Sequence, residues 1–155
     1  MALAEKNVAY TQREINPFEE TIASSYFNLH PFGRVPVLVH DDFTLYETSA
    51  IARYINAAFD GPDLQPTDPK CCARMAQIIS IIDSYAYWPM VRQVFSHRVF
   101  KPFCGDDADE NEISAGLKSA ECVLDALETI AREGLQLTTD DISLADLHLA
   151  PVSRT

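Results

Sequence analysis

Two short runs rich in apolar and aromatic residues, residues 35–40 and 43–46, are separated only by Asp41 and Asp42. Such runs favour β-strands, and so short a connection forces the strands to be antiparallel, because parallel strands need a long crossover. A helical pattern begins immediately afterwards at Thr48. The apolar positions along one face of that helix are Ile51, Tyr54, Ile55, Ala58 and Phe59. This order indicates a small α/β unit.

The segment before the hairpin predicts three further elements. Residues 1–7, MALAEKN, are typical of the last turns of a helix, with Asn7 as a left-handed stop. Residues 8–15, VAYTQREI, favour a short strand. Asn16 followed by Pro17 is typical of a helix start. The apolar positions behind that start are Phe18, Ile22 and Tyr26.

The segment DGPDLQPTDPK, at residues 60–70, contains three prolines and one glycine. Because proline and glycine interrupt regular structure, we predict a linker at residues 61–69. The linker separates a first domain at residues 1–60 from a second domain at residues 70–155.

The second domain is predicted to be helical throughout. Its first helix carries apolar residues at the three-four spacing of an amphipathic helix, with a kink expected at Pro89. These residues are Met75, Ile78, Ile79, Ile82, Ala86 and Pro89. The apolar stripe of the next helix is Ile113, Leu117, Ala120, Leu124, Leu127 and Ala131. A third helix starts at Ser143, where Asp146 completes a capping box in place of the usual glutamate.

Composition and charge exclude several classes of function. A formal net charge of -11 with only 12 lysines and arginines argues against nucleic-acid binding, which depends on clustered basic residues. The longest apolar runs, such as AQIISII, are far shorter than the roughly 20 residues that cross a bilayer, and the first residues lack a secretory signal pattern. The 4 cysteines form no CxxC pair and the 4 histidines have no metal-ligand spacing. We therefore expect a cytoplasmic protein with reduced thiols, no metal and no membrane contact.

Proline at position 36 removes one backbone donor from the start of the first strand. It suits the beginning of an edge strand, and it equally suits a cis turn. A cis bond would direct the N–H and C=O of Val35 sideways, where they can pair with the backbone of an extended ligand. The residues alone leave both interpretations open.

Glu47, Thr48 and Ser49 stand where the second strand ends and the helix begins. In one interpretation, Thr48 only caps the helix. In the other, the N–H groups and partial positive charge of the helix N-terminus bind a carboxylate, while Glu47 accepts a hydrogen bond from an ammonium. Together these groups suit the zwitterionic end of an amino acid. The two interpretations are equally compatible with the residues.

The whole stretch HPFGRVPVLVHDDFTLYETSAIARYI, at residues 30–55, resembles the glutathione S-transferase family. The core of that family reads approximately N-P-x-G-x-V-P-x-L, then L-x-E-S-x-A-I-x-x-Y. The linker, the long helix and ISLADLHLAPV continue the resemblance over nearly all of the chain. The resemblance implies an α/β thioredoxin-like N-terminal domain followed by an all-α helical C-terminal domain. It also implies a homodimer that joins glutathione, as substrate, to a small electrophile.

Glutathione-binding residues follow from the same resemblance. Val35, next to a cis Pro36, is expected to pair with the cysteinyl backbone of the tripeptide. Glu47 and Thr48 are expected to hold its γ-glutamyl end. Arg34 matches a position where several classes of the family place glutamine or lysine, so it is either a partner of the glycine carboxylate or a solvated surface residue.

The aromatic segment SYAYWPMVRQVF is similar to the part of the family that forms the second-substrate pocket and dimer contacts. We expect Tyr85, Trp88 and Arg92 in that pocket, although the same residues fit a core or an interface. The sequence departs from the family pattern at His30, which replaces asparagine, and at Thr48, which replaces serine. It also has Thr21 and Ile22 where plant-like classes carry a basic pair.

The family's first strand, and the following loop with a catalytic Tyr, Ser or Cys, find no match in this sequence. We therefore expect a chain truncated at both ends, without a catalytic residue of its own. Unless such a residue stabilises the thiolate, the pKa of the glutathione thiol stays near ~8.5–9 and only a few per cent is nucleophilic at neutral pH. The expected conjugation activity is impaired, and whether the chain acts as an enzyme stays open.

Two other functions fit the same motifs. One is a non-catalytic binding or assembly module with the transferase fold, and the other is a glutathione-dependent isomerase or dehalogenase. The Val35-Pro36 and Glu47-Thr48 pairs favour ligand binding. The unmatched activating residue argues against catalysis.

Overall fold

Residues 1–16, 24–134 and 142–153 are described in the computed structural model of the chain. The chain divides into two units, Met1–Pro62 and Asp63–Thr155. Within the described residues, no helix combines the length and apolar character needed to span a membrane. The predicted helix start at Pro17, with Phe18, Thr21 and Ile22, lies outside the described residues.

The first unit begins with a short helix, α1 (Ala2–Glu5). It ends as predicted, because Asn7 adopts a left-handed conformation with φ 57°. The strand predicted at residues 8–15 is wrong, since this segment has no regular structure. Its Tyr10 and Ile15 side chains are 56% and 42% exposed. Strand propensity alone does not form a strand when neither the ladder nor a core supplies a partner.

The predicted hairpin and helix are confirmed, but the first strand begins at Val37 and not at residue 35. Strands β1 (Val37–His40) and β2 (Phe43–Tyr46) are antiparallel, and helix α2 (Thr48–Ala58) follows directly. The register pairs Val37 with Tyr46 at one end and His40 with Phe43 at the turn, where Asp41 has φ 54°. Helix α2 buries Ile51, Ala52 and Ile55. A 3₁₀ turn, Ser24–Asn28, precedes the hairpin and buries Tyr26.

The second unit contains one long helical run made of three consecutive segments. Helix α3 (Pro69–Ile81) continues into a wider, π-helical segment (Ile82–Phe100) and then into α4 (Lys101–Cys104). The Asp68 side chain caps the start by accepting the N–H groups of Lys70 and Cys71, and left-handed Gly105 ends the run. The predicted apolar face is confirmed, because Met75, Ile79, Ile82, Ala86 and Pro89 are buried and Ile78 is partly buried. The kink at Pro89 stays a prediction.

Helix α5 (Glu110–Ala131) confirms part of the predicted stripe, because Ile113 and Ala120 are buried and Leu127 packs against the core cluster. Leu117 and Leu124 are 45% and 49% exposed, so their assignment to the buried stripe is wrong. The buried residues are Ile113, Gly116, Ala120 and Val123. Small Gly116 and Ala120 let α5 lie close to the π-helical segment, and this close approach decides which face is buried.

Helix α6 (Leu144–Ser153) starts with the predicted capping box. The Ser143 N–H and hydroxyl donate to Asp146 Oδ2 at 2.8 and 2.6 Å, and the Asp146 N–H donates to Ser143 Oγ at 3.3 Å. One turn later, His148 lies 2.9 Å from Asp83 of the π-helical segment and is 8% exposed. The capping box and this contact set where α6 begins and how it docks.

Replacing Asp146 with alanine is expected to lower the free energy of unfolding by about 1 kcal/mol, because Ser143 loses its carboxylate partner. Urea unfolding followed by circular dichroism measures the change. The matched control is Asp125→Ala on the exposed face of α5, which removes the same charge. Equal effects of the two substitutions would contradict a specific capping role.

Candidate functional site

The predicted glutathione-binding residues of the first unit converge at the open end of the hairpin. The ladder ends where Val37 pairs with Tyr46, so Pro36 and Glu47 are the next residues on the two strands. Val35 and Thr48 follow one position further. Antiparallel pairing therefore brings the segment before β1 and the start of α2 to the same place.

Val35 offers an unused backbone donor and acceptor at this place. Its side chain is 48% exposed, and its bond to Pro36 is cis, as predicted. Among the described residues, no partner accepts its N–H or donates to its C=O. Unpaired backbone groups beside a sheet are the groups that an extended peptide ligand binds.

The carbonyl group of Arg34, the residue before Val35, has a hydrogen-bond partner. The hydroxyl of Tyr26, in the 3₁₀ turn, donates to the Arg34 carbonyl oxygen at 2.7 Å. Tyr26 is 7% exposed, and burial raises the pKa of its phenol, which therefore stays a hydrogen-bond donor at neutral pH. Sequence reasoning assigned Tyr26 only to an apolar stripe, because nothing in the sequence indicates where its hydroxyl points.

Glu47 is the residue before the first turn of α2, and its backbone is unusual. It has φ 74° and ψ 120°, a conformation that costs a residue other than glycine about 1–3 kcal/mol and that clusters at functional sites. Its side chain makes no capping hydrogen bond and is exposed. The interpretation of Thr48 as the helix cap is wrong, since Thr48 is the first helical residue and Glu47 holds the cap position.

The first turn of α2 presents a set of free donors. The Ile51 N–H bonds to the Glu47 carbonyl at 2.9 Å, while the N–H groups of Thr48, Ser49 and Ala50 find no acceptor in the described part of the chain. These donors and the partial positive charge of an 11-residue helix suit a carboxylate. The exposed Glu47 carboxylate beside them suits an ammonium group.

Arg34 adds an exposed cation next to Val35. Its guanidinium makes no ion pair or hydrogen bond with any other described residue. It is therefore available to a second carboxylate.

The three residues predicted for the second-substrate pocket lie in the π-helical segment of the second unit. Their side chains are exposed: Tyr85 by 65%, Trp88 by 62%, and Arg92 as well.

Cys71 and Cys72 are adjacent and half-buried, whereas Cys104 and Cys122 are exposed. All four are free thiols. Loss of solvation and, after it, the neighbouring Asp68 carboxylate raise the pKa of Cys71. The Cys72 thiol donates to the Pro66 carbonyl at 2.7 Å. A thiol with a raised pKa is a poor nucleophile. No group of three or more potential metal ligands occurs within the three described ranges.

Comparison with known proteins gives consistent matches. The family model for the glutathione S-transferase N-terminal domain matches residues 1–57. Glutathione S-transferase F14 of Arabidopsis thaliana is 35% identical over 80% of this chain and 50% of its own length. Glutathione S-transferase F10 of the same organism is 30% identical over 97% of this chain and 71% of its own length. The chain thus spans between half and about seven tenths of these curated relatives.

The solved structures agree. The theta class glutathione S-transferase from Xanthomonas axonopodis pv. citri, with glutathione bound, superposes with a TM-score of 0.78 at 27% identity. The match covers 96% of this chain and 70% of that one. The predicted fold class is confirmed: an α/β thioredoxin-like N-terminal domain is followed by an all-α helical C-terminal domain.

Proposed function

The chain belongs to the glutathione S-transferase family, and we propose that its first unit binds glutathione at the open end of the β1–β2 hairpin. The observation that carries this proposal is the convergence, at one place, of the unpaired Val35 backbone, the free N–H groups of α2 and the exposed Glu47 carboxylate. The bound glutathione in the theta class relative adds support.

Each part of the tripeptide has a matching group in this proposal. The γ-glutamyl ammonium binds Glu47, and its carboxylate binds the first N–H groups of α2 and the Thr48 hydroxyl. The cysteinyl backbone pairs with Val35, and Pro36 shapes the segment that presents it. The glycine carboxylate binds the Arg34 guanidinium, an interaction of about 1.5–3 kcal/mol when well formed.

The reaction that we propose is addition of the glutathione thiol to a small electrophile. Tyr85, Trp88 and Arg92 are the proposed contacts of the electrophile, and a cytoplasmic homodimer is the proposed assembly. Conjugation by these 155 residues alone is expected to be slow. The reason is that no residue matches the family's thiol-activating Tyr, Ser or Cys, and an unassisted thiol is only a few per cent ionised at neutral pH.

Thermal unfolding with and without glutathione tests the binding step. At about 100 times the dissociation constant, glutathione is expected to add ~2.7 kcal/mol and to raise the melting temperature. An equimolar mixture of glutamate, cysteine and glycine is the control and should leave the melting temperature unchanged. A cooperative transition that glutathione does not shift would refute the proposed site and favour the non-catalytic assembly module. Conjugation of chlorodinitrobenzene, followed separately, tests the transfer step.

A further inference from the structure

His30 lies at the centre of the loop that leads to Val35 and is only 2% exposed. Its backbone N–H donates to the Tyr26 carbonyl at 3.0 Å, and its carbonyl accepts the Gly33 N–H at 2.9 Å. Its ring nitrogen Nδ1 accepts the Phe32 N–H at 3.3 Å. One residue thus makes three hydrogen bonds within the loop.

The imidazole ring also packs against the strand that ends directly before Glu47. Its centroid lies 4.7 Å from that of Tyr46, with an angle of 34° between the rings. Tyr46 is the last residue of β2 and directly precedes Glu47. The hydrogen bonds of His30 therefore stay within the loop that leads to Val35, while its ring packs against the last residue of β2.

The bond from the Phe32 N–H has a specific chemical requirement. An imidazole accepts at Nδ1 only when that nitrogen carries no proton, so the ring proton sits on Nε2. A side chain that accepts the N–H two residues ahead does what asparagine does in an Asx turn. Asparagine can make the same bond, whereas phenylalanine keeps an aromatic ring but has no acceptor.

We propose that His30 is a positioning residue for glutathione: its Nδ1 holds the turn at Phe32 and so presents the Val35 backbone to the cysteinyl part of the ligand. This inference rests on the proposed function of the site. It explains why histidine serves at a position where the resemblance implies asparagine. It also predicts that the cysteinyl part of the ligand depends on His30, because the γ-glutamyl end is held by Glu47 and by the first turn of α2.

The test compares His30→Phe with His30→Asn by isothermal titration with glutathione. His30→Phe is expected to raise the dissociation constant about three- to tenfold, the effect of one lost hydrogen bond. His30→Asn is expected to stay within about twofold of the natural protein, because the acceptor is restored. A γ-glutamyl methylamide fragment, which reaches only Glu47 and Thr48, should bind all three proteins equally.

The outcomes separate the two proposals. If the natural protein does not bind glutathione, the proposed function itself fails. If the natural protein binds glutathione and His30→Phe binds it equally well, the Nδ1 hydrogen bond does not matter and the inference is overturned. Loss of affinity in His30→Asn alone would then show that ring packing matters instead. If His30→Phe binds the fragment more weakly than the natural protein does, or if this variant does not unfold cooperatively, His30 is needed for folding. Either result would also overturn the inference.

Discussion

Replacement of Glu47 with glutamine is expected to raise the dissociation constant of glutathione roughly five- to tenfold. The substitution turns a charge-assisted hydrogen bond to the ligand ammonium, worth about 1.5–3 kcal/mol, into a neutral one. Isothermal titration measures the affinity. The melting temperature of the free protein should stay nearly unchanged, because the Glu47 side chain is exposed and makes no capping hydrogen bond.

The hairpin supplies a matched control for this experiment. Asp42→Asn removes one negative charge at the turn, the opposite end of the same strands. Because exposed charges are screened over about 8–10 Å at physiological ionic strength, the control should bind glutathione with nearly unchanged affinity. If both variants lose affinity equally, the effect comes from net charge and the assignment of Glu47 to the ammonium is wrong.

The elements that sequence reasoning predicted correctly are those specified by near neighbours. A two-residue turn between apolar runs determines the β1–β2 hairpin, and the Ser143–Asp146 spacing determines a helix start. The segment at residues 8–15 has strand composition too, but a strand also needs a ladder partner, which local sequence does not reveal. Leu117 and Leu124 of α5 were misassigned because the small residue Gly116, rather than these leucines, lies against the π-helical segment.

The candidate site likewise has residues that the sequence predicted and structural features that it did not. Its motif residues Val35, Glu47 and Thr48 stand at positions that the family pattern indicates, and the register brings them together. The positive φ of Glu47 and the hydrogen bond from Tyr26 to the Arg34 carbonyl have no signal in the sequence pattern. Such contacts follow from three-dimensional structure, so the residues that position a site are harder to predict than the residues that touch a ligand.

Replacement of Gly116 with valine is expected to lower the free energy of unfolding by about 3 kcal/mol or more. A Cβ atom at this position would lie 2.8 Å from the Pro89 carbonyl oxygen, 2.8 Å from Gln93 Cβ and 2.9 Å from Val94 Cγ2. A backbone oxygen within a helix cannot move aside alone, so α5 must shift away from the π-helical segment. That shift would loosen the core cluster of Ile82, Ala86, Val123 and Val152.

Urea unfolding of Gly116→Val and of Ser119→Val separates this clash from an effect on helix propensity. Ser119 lies in the same helix but is exposed, and serine and valine have similar helix propensities. The control should therefore change the free energy of unfolding by less than about 0.5 kcal/mol. A loss of about 3 kcal/mol is a large share of the ~5–15 kcal/mol that stabilises a domain. Similar small changes in both variants would show that α5 does not need its close approach at Gly116.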